Sequence, residues 1–431
     1  MTALPGLTNG KLKDQSLLNQ GPLARALKVL NGEGEETRLV GGAVRDLALG
    51  EPAVDFDLTT TATTNVVVRR ARGAGFKVAL TGVSHGTVTI VVDGCPLETT
   101  TLREDVETDG RRAKVAFGRD FVADARRRDF TINALSLSAD GAVHDYVGGL
   151  EDLGARRVRF IGEADARIRE DYLRILRFFR FSARFAANGL DPEGLLAAIR
   201  ARDGLARLSR ERVRTEFLKL LAAPRAGDIA QTMSGSGFLE PILGSVGYPR
   251  RLSRLIAIEA ERGLNGDALL RLAALGVAIP EDAERLHDRL RLTNAESERL
   301  KTAAATLIGL HGTTAPPSFH RLRTLLFADG REAARDALML AEAESEAPSD
   351  SAFGAADQFL AKAPEPKLPI SGADLIARRV AAGPADGWAL RAFQAQWMHA
   401  GFAKEPGTLA RLLEEAVATL PAQNRQAGQG D

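Results

Sequence analysis

The pattern of apolar and polar positions changes character near residue 162 of the 431-residue chain. Before that point, short apolar or alternating runs are separated by glycine-rich and polar turns, which is typical of β-strands mixed with short helices. From Glu163 onward β-branched residues become scarce and apolar residues recur at helical spacing. The sequence therefore predicts an α+β fold with a strand-containing part followed by helices. The predicted strands are residues 39–40, 54–60, 76–80, 87–92, 96–103, 142–146 and 158–161.

A glycine pair separates the first predicted strand from a helix. Leu39-Val40 is apolar, Gly41-Gly42 follows, and residues 43–49 have the composition of a helix. Because glycine lacks a Cβ atom, the backbone can turn tightly there and approach a ligand closely. Such a turn aims backbone N–H groups and a helix N-terminus at one point, an arrangement that suits phosphate. Arg45, in the first turn of the helix, adds a forked cation.

Two aspartates follow on the next predicted strand. Asp55 and Asp57 are two positions apart within residues 54–60, so they are expected on one face of that strand. Two carboxylates on one face repel each other unless a cation lies between them, and Mg²⁺ takes such oxygen ligands together with substrate phosphates. An Asp-x-Asp pair by itself is more often solvated charge. The glycine turn and the arginine just upstream favour a metal site.

The first long helical segment, predicted over residues 167–185, mixes charge with large apolar residues. Asp171 and Arg174 are three positions apart and are predicted neighbours on one helix face. A salt bridge on a solvated face is the simpler explanation of such a pair. The apolar surroundings instead indicate a buried helix, in which charged groups need a partner or a ligand. Arg177 shares the broad face, whereas Arg180 is rotated about half a turn from Asp171.

Composition limits the classes of function. The formal net charge is +1, so a nucleic-acid partner is not evident from overall charge. Between residues 155 and 214, however, lie 15 arginines, no lysine and 8 acidic residues, an excess that could follow a phosphate backbone. Cys95 is the single cysteine, which excludes an internal disulfide and fits a reducing cytoplasm. The N-terminus lacks a signal-peptide pattern, and no apolar stretch has membrane-spanning length.

Several motifs together resemble the polymerase-β-type nucleotidyltransferases, and more narrowly the class II group of tRNA CCA-adding enzymes and bacterial poly(A) polymerases. These motifs are the glycine turn, Asp55-Phe56-Asp57, Arg127-Arg128-Asp129-Phe130-Thr131-Ile132-Asn133-Ala134 and Glu170-Asp171-x-x-Arg174. Residues 208–216 resemble a further family motif that is more often structural than catalytic. The matches keep the family's order from residue 40 to residue 216.

The resemblance implies a role for each candidate residue. Asp55 and Asp57 would hold two Mg²⁺ ions, and Glu98 is suggested as the third carboxylate, although an ordinary exposed glutamate would fit its position nearly as well. The nucleotide would be bound at three places: the triphosphate by Gly42 and Arg45, the ribose by Arg128, Asp129 and Asn133, and the base by Asp171, Arg174 and Arg177. Arg180 would serve phosphate or packing. Asp171 and Arg174 would read the Watson–Crick edge of CTP or ATP in place of a nucleic-acid template.

These roles predict an enzyme that adds C, C and A to the 3′ end of tRNA by two-metal phosphoryl transfer and releases pyrophosphate. The predicted partners are tRNA, CTP and ATP, with Mg²⁺ as cofactor; a membrane or an obligate protein partner is not expected. The polar stretch 104–121 resembles a flexible loop that CCA-type enzymes use when they add the terminal adenosine. An ordinary surface loop is the alternative.

The chain is long enough for several domains. The predicted divisions, named after the family's architecture, are residues 1–20 (flexible N-terminus), 21–160 (catalytic head), 161–225 (helical neck), 226–315 (helical body), 316–420 (helical, RNA-binding tail) and 421–431 (disordered C-terminus). Within the tail, the Pro-, Ser- and Ala-rich residues 345–369 are predicted to form a linker-like interruption.

Other functions stay open at the level of the sequence. A poly(A) polymerase of the same class would share the head, but such proteins often carry a strongly basic C-terminal region, whereas residues 215–431 are acidic in balance. A partial enzyme that adds only CC or only A is a second alternative, and the stretch 104–121 argues against CC-only addition. A catalytically inactive RNA-binding protein is a third, against which the intact Asp55 and Asp57 argue.

Overall fold

The structure, a computed structural model, describes residues 4–80, 82, 86–109, 112–345, 351–378, 380 and 384–420. It divides into two compact units, residues 1–241 and 242–431. The first unit contains a mixed β-sheet followed by helices, and the named elements of the second unit are helices. The predicted α+β class is therefore confirmed.

The N-terminal residues differ from the flexible segment predicted over 1–20. A small antiparallel hairpin pairs β1 (Leu7–Thr8) with β2 (Lys11–Leu12), and α1 (Ser16–Asn19) and α2 (Gly21–Leu30) follow. Leu12 is buried, and its N–H donates to the carbonyl oxygen of Gly141 at 2.9 Å. These apolar and backbone contacts hold the N-terminal residues against the rest of the first unit.

A seven-stranded sheet forms the centre of the first unit. The remaining strands of the chain are β3 (Thr37–Val40), β4 (Asp57–Thr60), β5 (Lys77–Ala79), β6 (Thr87–Val92), β7 (Cys95–Thr101), β8 (Arg103–Asp109), β9 (Arg112–Phe117), β10 (Ser136–Leu137) and β11 (Val143–His144). The sheet order is β11-β10-β3-β4-β7-β6-β5, with β4 parallel to β7 and the other described pairs antiparallel. Val88, Ile90 and Val92 alternate inward along β6 and are fully buried, as period-2 patterning requires.

The strand predicted over residues 54–60 begins three residues later than expected. In β4 the first paired residue is Asp57, which lies opposite Val40 of β3. Val40 is the last residue of β3, and the chain turns away at Gly41, where φ is +73°. On the β3 side the ladder therefore has no partner for the residues before Asp57. Asp55 lies outside the strand, so the prediction that Asp55 and Asp57 share one strand face was wrong.

The stretch 104–121 contains a β-hairpin rather than a loop. Strands β8 and β9 pair antiparallel from Arg103 opposite Phe117 to Asp109 opposite Arg112, with a bulge between Asp105 and Glu107. Residues 110 and 111, at the predicted centre, lie outside the described residues. The sequence does carry an Asp109-Gly110 pair, a recognised hairpin turn signal, which the polar composition of the stretch obscured.

Helices make up most of the rest of the first unit. They are α3 (Gly42–Ala48), α4 (Thr64–Gly73), α5 (Phe121–Arg126), α6 (Gly149–Gly154), α7 (Ala164–Glu170), α8 (Leu173–Phe185), α9 (Pro192–Arg200), α10 (Arg210–Leu221), α11 (Ala226–Gly235) and α12 (Leu239–Leu243), the last at the boundary of the units, with short 3₁₀ helices at Thr131–Asn133 and Arg202–Arg207. Phe130 packs against Phe181 of α8, with ring centroids 5.4 Å apart. This contact joins the Arg127–Ala134 motif to the first helices after the sheet.

The single helix predicted over residues 167–185 is two helices. Asp171 is extended, with φ −154° and ψ 109°, and separates α7 from α8. Its carboxylate oxygen Oδ1 accepts the backbone N–H of Leu173 at 3.0 Å. A short aspartate side chain can replace helical hydrogen bonds in this way, so the chain breaks where a uniform helical period was predicted.

The second unit contains the helices α13 (Pro249–Glu261), α14 (Ala268–Gly276), α15 (Pro280–Leu290), α16 (Asn294–Ile308), α17 (Phe319–Ala328), α18 (Gly330–Glu344), α19 (Ser351–Lys362), α20 (Gly372–Ile376), α21 (Pro384–His399) and α22 (Pro406–Ala418). Helix α19 lies within residues 345–369, so the prediction of a linker-like interruption there was wrong. Phe353, Ala356 and Leu360 recur at helical spacing there and are almost fully buried. Among the described residues, none of the helices has the length and apolar character of a membrane span.

Candidate active site

A cavity of about 490 Å³ in the first unit gathers most of the residues that the sequence singled out. The predicted site residues on its wall are Gly42, Arg45, Asp57, Arg128, Asp129, Asn133, Asp171, Arg174, Arg177 and Arg180. Asp55 and Glu98 are not part of the wall. Gly41, Leu173, Phe181 and Arg212 complete it.

The glycine turn brings the backbone close to the Arg127–Ala134 motif. Gly41 has a φ of +73°, a conformation that side chains other than glycine's rarely adopt. A Cβ atom at this position would lie 3.1 Å from Nη1 of Arg128. Helix α3 begins at the next residue, Gly42, which lines the cavity. The first N–H groups of a helix have no partners within the helix, so those of α3 start at the cavity wall.

Arg45 is buried, and protein groups already bind its guanidinium. Nε and Nη2 donate to Oδ1 of Asp46 at 2.9 and 2.7 Å, and Nη1 donates to Oδ1 of Asn133 at 2.6 Å. The guanidinium also lies over the ring of Phe185, 4.1 Å from its centroid. Burial lowers the pKa of Arg45 below its usual value, and Asp46 opposes that shift. Arg45 thus fixes the Asn133 side chain as well as contributing charge to the wall.

The Arg128-Asp129 pair is held in place by charged neighbours. Asp129 is buried; its Oδ2 accepts from Nε of Arg177 at 2.6 Å, and its Oδ1 accepts from Nδ2 of Asn133 at 3.3 Å. Arg128 donates through Nε and Nη2 to Oδ2 of Asp124, at 3.2 and 3.1 Å. The resemblance grouped Asn133 with Asp129, and the structure has a contact between them. It also adds Asp124 as a positioning group.

The three candidate carboxylates lie near one another at the end of the parallel pair. Asp57 and Glu98 are register neighbours on β4 and β7, and both are exposed. Burial of part of the group, and then the charges of Glu98 and Asp55, raise the pKa of Asp57, while Arg128 lowers it. Burial together with incompletely compensated neighbouring carboxylates produces such a raised pKa.

These carboxylates fit a hydrated metal ion better than an enclosed one. Within the described residues, no three histidine, cysteine or carboxylate side chains converge closely enough to hold a metal ion by themselves. Mg²⁺ keeps several water ligands and commonly takes one or two carboxylates plus substrate phosphates. Asp57 with Glu98 or Asp55 is a donor set of that kind.

Asp171 and Arg174 line the same cavity but do not bind each other in the way their spacing predicted. Oδ2 of Asp171 accepts from Nη2 of Arg212 at 2.6 Å. Arg174 donates through Nη1 to the carbonyl oxygen of Arg167 at 2.8 Å and forms an ion pair with Glu170. Because Asp171 is extended, the helical i,i+3 argument does not apply to it. The cavity nevertheless brings both side chains to one wall.

Helix α10 supplies groups that sequence reasoning left out of the site. Besides Arg212, buried Glu216 accepts from Nε of Arg180 at 2.6 Å and lies 3.8 Å from Nη1 of Arg177. Burial lowers the pKa of Arg180, and Glu216 opposes that shift. Arg212 and Glu216 belong to the 208–216 motif, whose resemblance to the family was the available signal.

The cavity combines six arginines with three aspartates, namely Arg45, Arg128, Arg174, Arg177, Arg180 and Arg212 with Asp57, Asp129 and Asp171. A positive excess beside a carboxylate pair suits a polyanion that arrives with a divalent cation. The aspartates add acceptors for hydroxyl or amine groups. This donor and acceptor set can bind a nucleoside triphosphate.

Comparison with known protein families agrees with this description. Residues 37–159 match the poly(A) polymerase head domain. Residues 190–246 match a domain described as a probable RNA- and SrmB-binding site of polymerase A.

Curated relatives are similar over part of their length. The mitochondrial CCA tRNA nucleotidyltransferase 1 of Danio rerio is 38% identical over 290 residues, which are 65% of either chain. The CCA-adding enzyme of Leuconostoc citreum is 39% identical over 204 residues, 47% of this chain and 49% of that one. The chain thus spans less than two thirds of the length of these relatives.

Solved structures extend the likeness to most of the chain. A crystal structure of the Bacillus stearothermophilus CCA-adding enzyme in complex with CTP has 29% identity and a TM-score of 0.73, over 91% of this chain and 96% of that one. The Thermotoga maritima CCA-adding enzyme complexed with tRNA has 18% identity and a TM-score of 0.67, over 94% of this chain and 98% of that one, a likeness of fold alone.

The fold is that of a polymerase-β-type nucleotidyltransferase head followed by helices. Residues 37–159 and 190–246 therefore carry the domains of the class II family of tRNA nucleotidyltransferases and poly(A) polymerases.

Proposed function

We propose that the protein adds C, C and A to the 3′ end of tRNA, using CTP and ATP and releasing pyrophosphate. The observation that carries this proposal is the cavity wall on which the arginines and aspartates of the nucleotide motifs meet Asp57. The names of the relatives and of the structures with CTP and tRNA support the same substrates. The acidic balance of residues 215–431 argues against poly(A) synthesis.

Asp55 and Asp57, with Glu98 beside them, would hold Mg²⁺. Bound there, Mg²⁺ would make the RNA 3′-hydroxyl a better nucleophile and offset charge on the departing pyrophosphate. The register of Glu98 opposite Asp57 supports a cation at this position, because a nearby positive charge would stabilise the ionised carboxylates.

The arginines of the cavity would bind the triphosphate, and the acceptors would orient the nucleoside. Gly42 begins helix α3, whose first N–H groups suit a phosphate oxygen, and Arg180 adds a cation on the same wall. Arg128 and Asp129 would contact the ribose, with Asn133 fixed between Asp129 and Arg45. A ribose hydroxyl both donates and accepts, which an aspartate beside an arginine satisfies.

Asp171, Arg174 and Arg177 would select the base. Cytosine and adenine both present an exocyclic amine next to a ring nitrogen acceptor, so an aspartate acceptor beside an arginine donor suits them both. Uracil and guanine present a carbonyl where Asp171 needs a donor. Oδ2 of Asp171 already accepts from Arg212 and can accept a second hydrogen bond.

The test is incubation of tRNA that lacks its CCA end with CTP alone, ATP alone or both, followed by separation of products on a denaturing gel. We expect CTP alone to extend the RNA by CC, both nucleotides to complete CCA, and ATP alone to add nothing. An Asp57→Ala variant in parallel should give no product. A ladder of adenosines with ATP alone would instead identify a poly(A) polymerase.

The same gel distinguishes partial and absent activity. If the protein extends only a tRNA that already ends in CC, it is an A-adding enzyme. If extension stops at CC although both nucleotides are present, it is a CC-adding enzyme. An absence of any product would support an inactive RNA-binding protein. RNA binding by residues 316–420 and a cytoplasmic location, which rests on the single Cys95, remain predictions.

A further inference from the structure

Both carboxylate oxygens of the buried Asp129 are already occupied by donors of the protein. Oδ1 accepts the backbone N–H of Phe130 at 2.9 Å and Nδ2 of Asn133 at 3.3 Å. Oδ2 accepts from Nε of Arg177 at 2.6 Å and lies 2.6 Å from Nη2 of the same guanidinium. A residue that only read a ribose would keep its acceptors open for the sugar. The occupied oxygens therefore indicate a further task.

The three partners of Asp129 differ in how readily a ligand could replace them. The N–H of Phe130 belongs to the next residue and stays beside the carboxylate, and Arg177 pairs charge with charge, the stronger kind of hydrogen bond. The amide of Asn133 is neutral and makes the longest contact, and its Oδ1 keeps a separate bond from Nη1 of Arg45 at 2.6 Å. A ribose hydroxyl that reaches Asp129 should therefore replace the Asn133 amide and leave Arg177 in place.

Arg177 is held along one edge of its guanidinium. Nε and Nη2 face Asp129, whereas Nη1 lies 3.8 Å from Oε1 of Glu216. The side chain of Arg177 is on the cavity wall. A planar guanidinium that is fixed along its Nε–Nη2 edge keeps its other N–H groups in one direction. Asp129 thus determines how Arg177 is oriented before a nucleotide binds.

We infer that Asp129 is a positioning residue for base selection, which holds Arg177 in the orientation that reads the base while one exchangeable acceptor position receives the ribose. The inference rests on the proposed function, in which Arg177 helps to select the base. The ring nitrogen that accepts a hydrogen bond in cytosine carries a hydrogen in uracil, so a fixed arginine donor favours CTP and opposes UTP. An arginine that is free to turn away from uracil would discriminate less.

The experiment measures kcat/KM for CTP and UTP on full-length tRNA lacking CCA, with Asp129→Asn, Arg177→Lys and the variant that carries both. Asp129→Asn removes the charge that holds the guanidinium, and Arg177→Lys removes the planar fork. Asp129→Glu keeps the charge but displaces it, and so serves as the second variant should Asp129→Asn fail to fold. Dissociation constants for CTP and UTP without tRNA give the same comparison for a variant that is too slow to assay.

Asp357→Asn is the matched control. Asp357 is also buried, and it accepts from Nε and Nη2 of Arg335 at 2.7 and 3.1 Å, but this pair lies in the second unit. The control therefore loses a comparable buried ion pair away from the cavity. Thermal melting of each variant records the accompanying loss of stability.

We expect Asp129→Asn, Asp129→Glu and Arg177→Lys each to lower the preference for CTP over UTP by roughly 10- to 100-fold, the range for one charge-assisted hydrogen bond. The double variant should lose no more preference than the more affected single variant, because both substitutions remove one arrangement. Asp357→Asn should keep the preference of the unmodified protein. The preference for CTP over dCTP should fall in Asp129→Asn and persist in Arg177→Lys, because the ribose contact does not need the guanidinium.

Two results would overturn the inference. If the Asp129 variants slow the use of CTP and UTP by the same factor, Asp129 does not position a base-selecting group. If the effects of Asp129→Asn and Arg177→Lys on base preference multiply in the double variant, the two residues act independently. In either case the unmodified protein would still add C to tRNA, whereas failure of the proposed function would appear as no addition by the unmodified protein.

Discussion

Gly41 links the backbone conformation of the turn to the position of Arg128 on the cavity wall. Its φ of +73° and the 3.1 Å approach to Arg128 that a Cβ would make both require glycine. We predict that Gly41→Ala lowers the free energy of unfolding by about 1–3 kcal/mol, the usual cost of a residue held in a sparsely populated backbone conformation. It should also lower kcat/KM for CTP, because Arg128 must move away from the turn. Chemical denaturation and steady-state kinetics measure the two effects.

The matched control for this prediction is Gly73→Ala. Gly73 ends helix α4, has no positive φ, and would bring its new Cβ within 4 Å of nothing. This substitution should leave kinetics unchanged and stability equal or slightly higher. Equal effects of the two substitutions would show that the glycine turn has no special role.

Substitution of Asp57 should affect stability and catalysis differently. Burial and the charges of Glu98 and Asp55 raise its pKa, so the ionised carboxylate is less favourable in the folded chain than in the unfolded one. Above that pKa, a neutral side chain removes an unfavourable charge. We therefore predict that Asp57→Asn, in buffer containing EDTA, melts at the same temperature as the unmodified protein or higher, while nucleotide addition with Mg²⁺ is lost. Thermal melting and the gel assay measure the two effects.

Asp55→Asn provides the comparison. It should also abolish addition, and tRNA binding should survive in both variants, because the chemical step alone needs the metal. Near-normal addition by either variant would contradict the metal assignment. Glu98→Ala should reduce addition less than Asp57→Asn, since the register places Glu98 beside Asp57 but only Asp57 of this pair lies on the cavity wall.

Residue types at short spacing predicted much of the cavity. The glycine pair, the Arg128-Asp129 motif and three arginines of α8 reach one wall, because each motif is local and adjoins a recognisable element. The partners of those residues could not be predicted in the same way. Arg212 binds Asp171 from 41 residues away, and Glu216 binds Arg180 from 36 residues away. Contacts over such separations depend on how the helices pack.

At the scale of elements, the break between α7 and α8 gives Asp171 two separable tasks. Oδ1 accepts the N–H of Leu173 and so begins α8, while Oδ2 lies with Arg212 on the cavity wall. Asp171→Ala should lose both contacts, with a cost in stability of roughly 0.5–2 kcal/mol, as for other side-chain hydrogen bonds at the start of a helix. It should also raise the use of UTP and GTP relative to CTP and ATP, since a charge-assisted hydrogen bond is worth roughly 1.5–3 kcal/mol.

Asp171→Asn distinguishes the two tasks, because its amide oxygen can still accept from Leu173 while its amide N–H groups favour a carbonyl. We expect near-normal stability and a shift from CTP toward UTP, measured as kcat/KM for all four nucleotides. Asp191→Ala, which removes the cap of α9, should cost similar stability and leave nucleotide preference unchanged. If both Asp171 variants only lose stability, the base-selecting role is wrong.

The β8–β9 hairpin gives the second prediction at this scale. Replacement of residues 109–112 by a Gly-Ser linker of equal length should leave CC addition intact and impair addition of the final A. The resemblance assigns this segment to addition of the terminal adenosine, so that step should be affected. The rest of the backbone ladder, beginning at Arg103 opposite Phe117, would keep both strands in place. The measurement is the rate of each addition on tRNA ending in the discriminator base, C or CC. Equal loss of all steps would indicate a purely structural hairpin.

The elements that the sequence missed share a physical cause. The hairpin and helix α19 lie in stretches whose polar or small residues suggested loops, yet pairing and burial stabilise them. Helix α19 buries Phe353 and Leu360, and β8 with β9 satisfy each other's backbone groups. Propensity is a weak guide where tertiary contacts decide. The sheet strands were predicted better, because alternation along β6 directly records which face is buried.

At the scale of the whole molecule, charge is distributed by segment rather than in total. The net charge of +1 conceals an excess of 15 arginines over 8 acidic residues between residues 155 and 214. Much of that charge pairs within the fold, as Arg200 does with Asp165 and Arg212 with Asp171. The arginines that contact RNA should therefore be found among the exposed, less neutralised members of the segment.

Salt dependence tests this expectation. Removal of one phosphate-binding cation should reduce the slope of log K against log salt by about 0.7–0.9. We predict such a reduction for Arg169→Ala and Arg207→Ala, whose side chains belong to exposed residues of the segment, with KM for CTP unchanged. Arg200→Ala is the control, because Asp165 already offsets its charge at 2.5 Å. Binding of tRNA measured between about 50 and 200 mM salt spans the range over which such electrostatic binding weakens. An unchanged slope in both test variants would mean that RNA does not follow this segment, and that its arginines serve the nucleotide cavity and the packing of the helices.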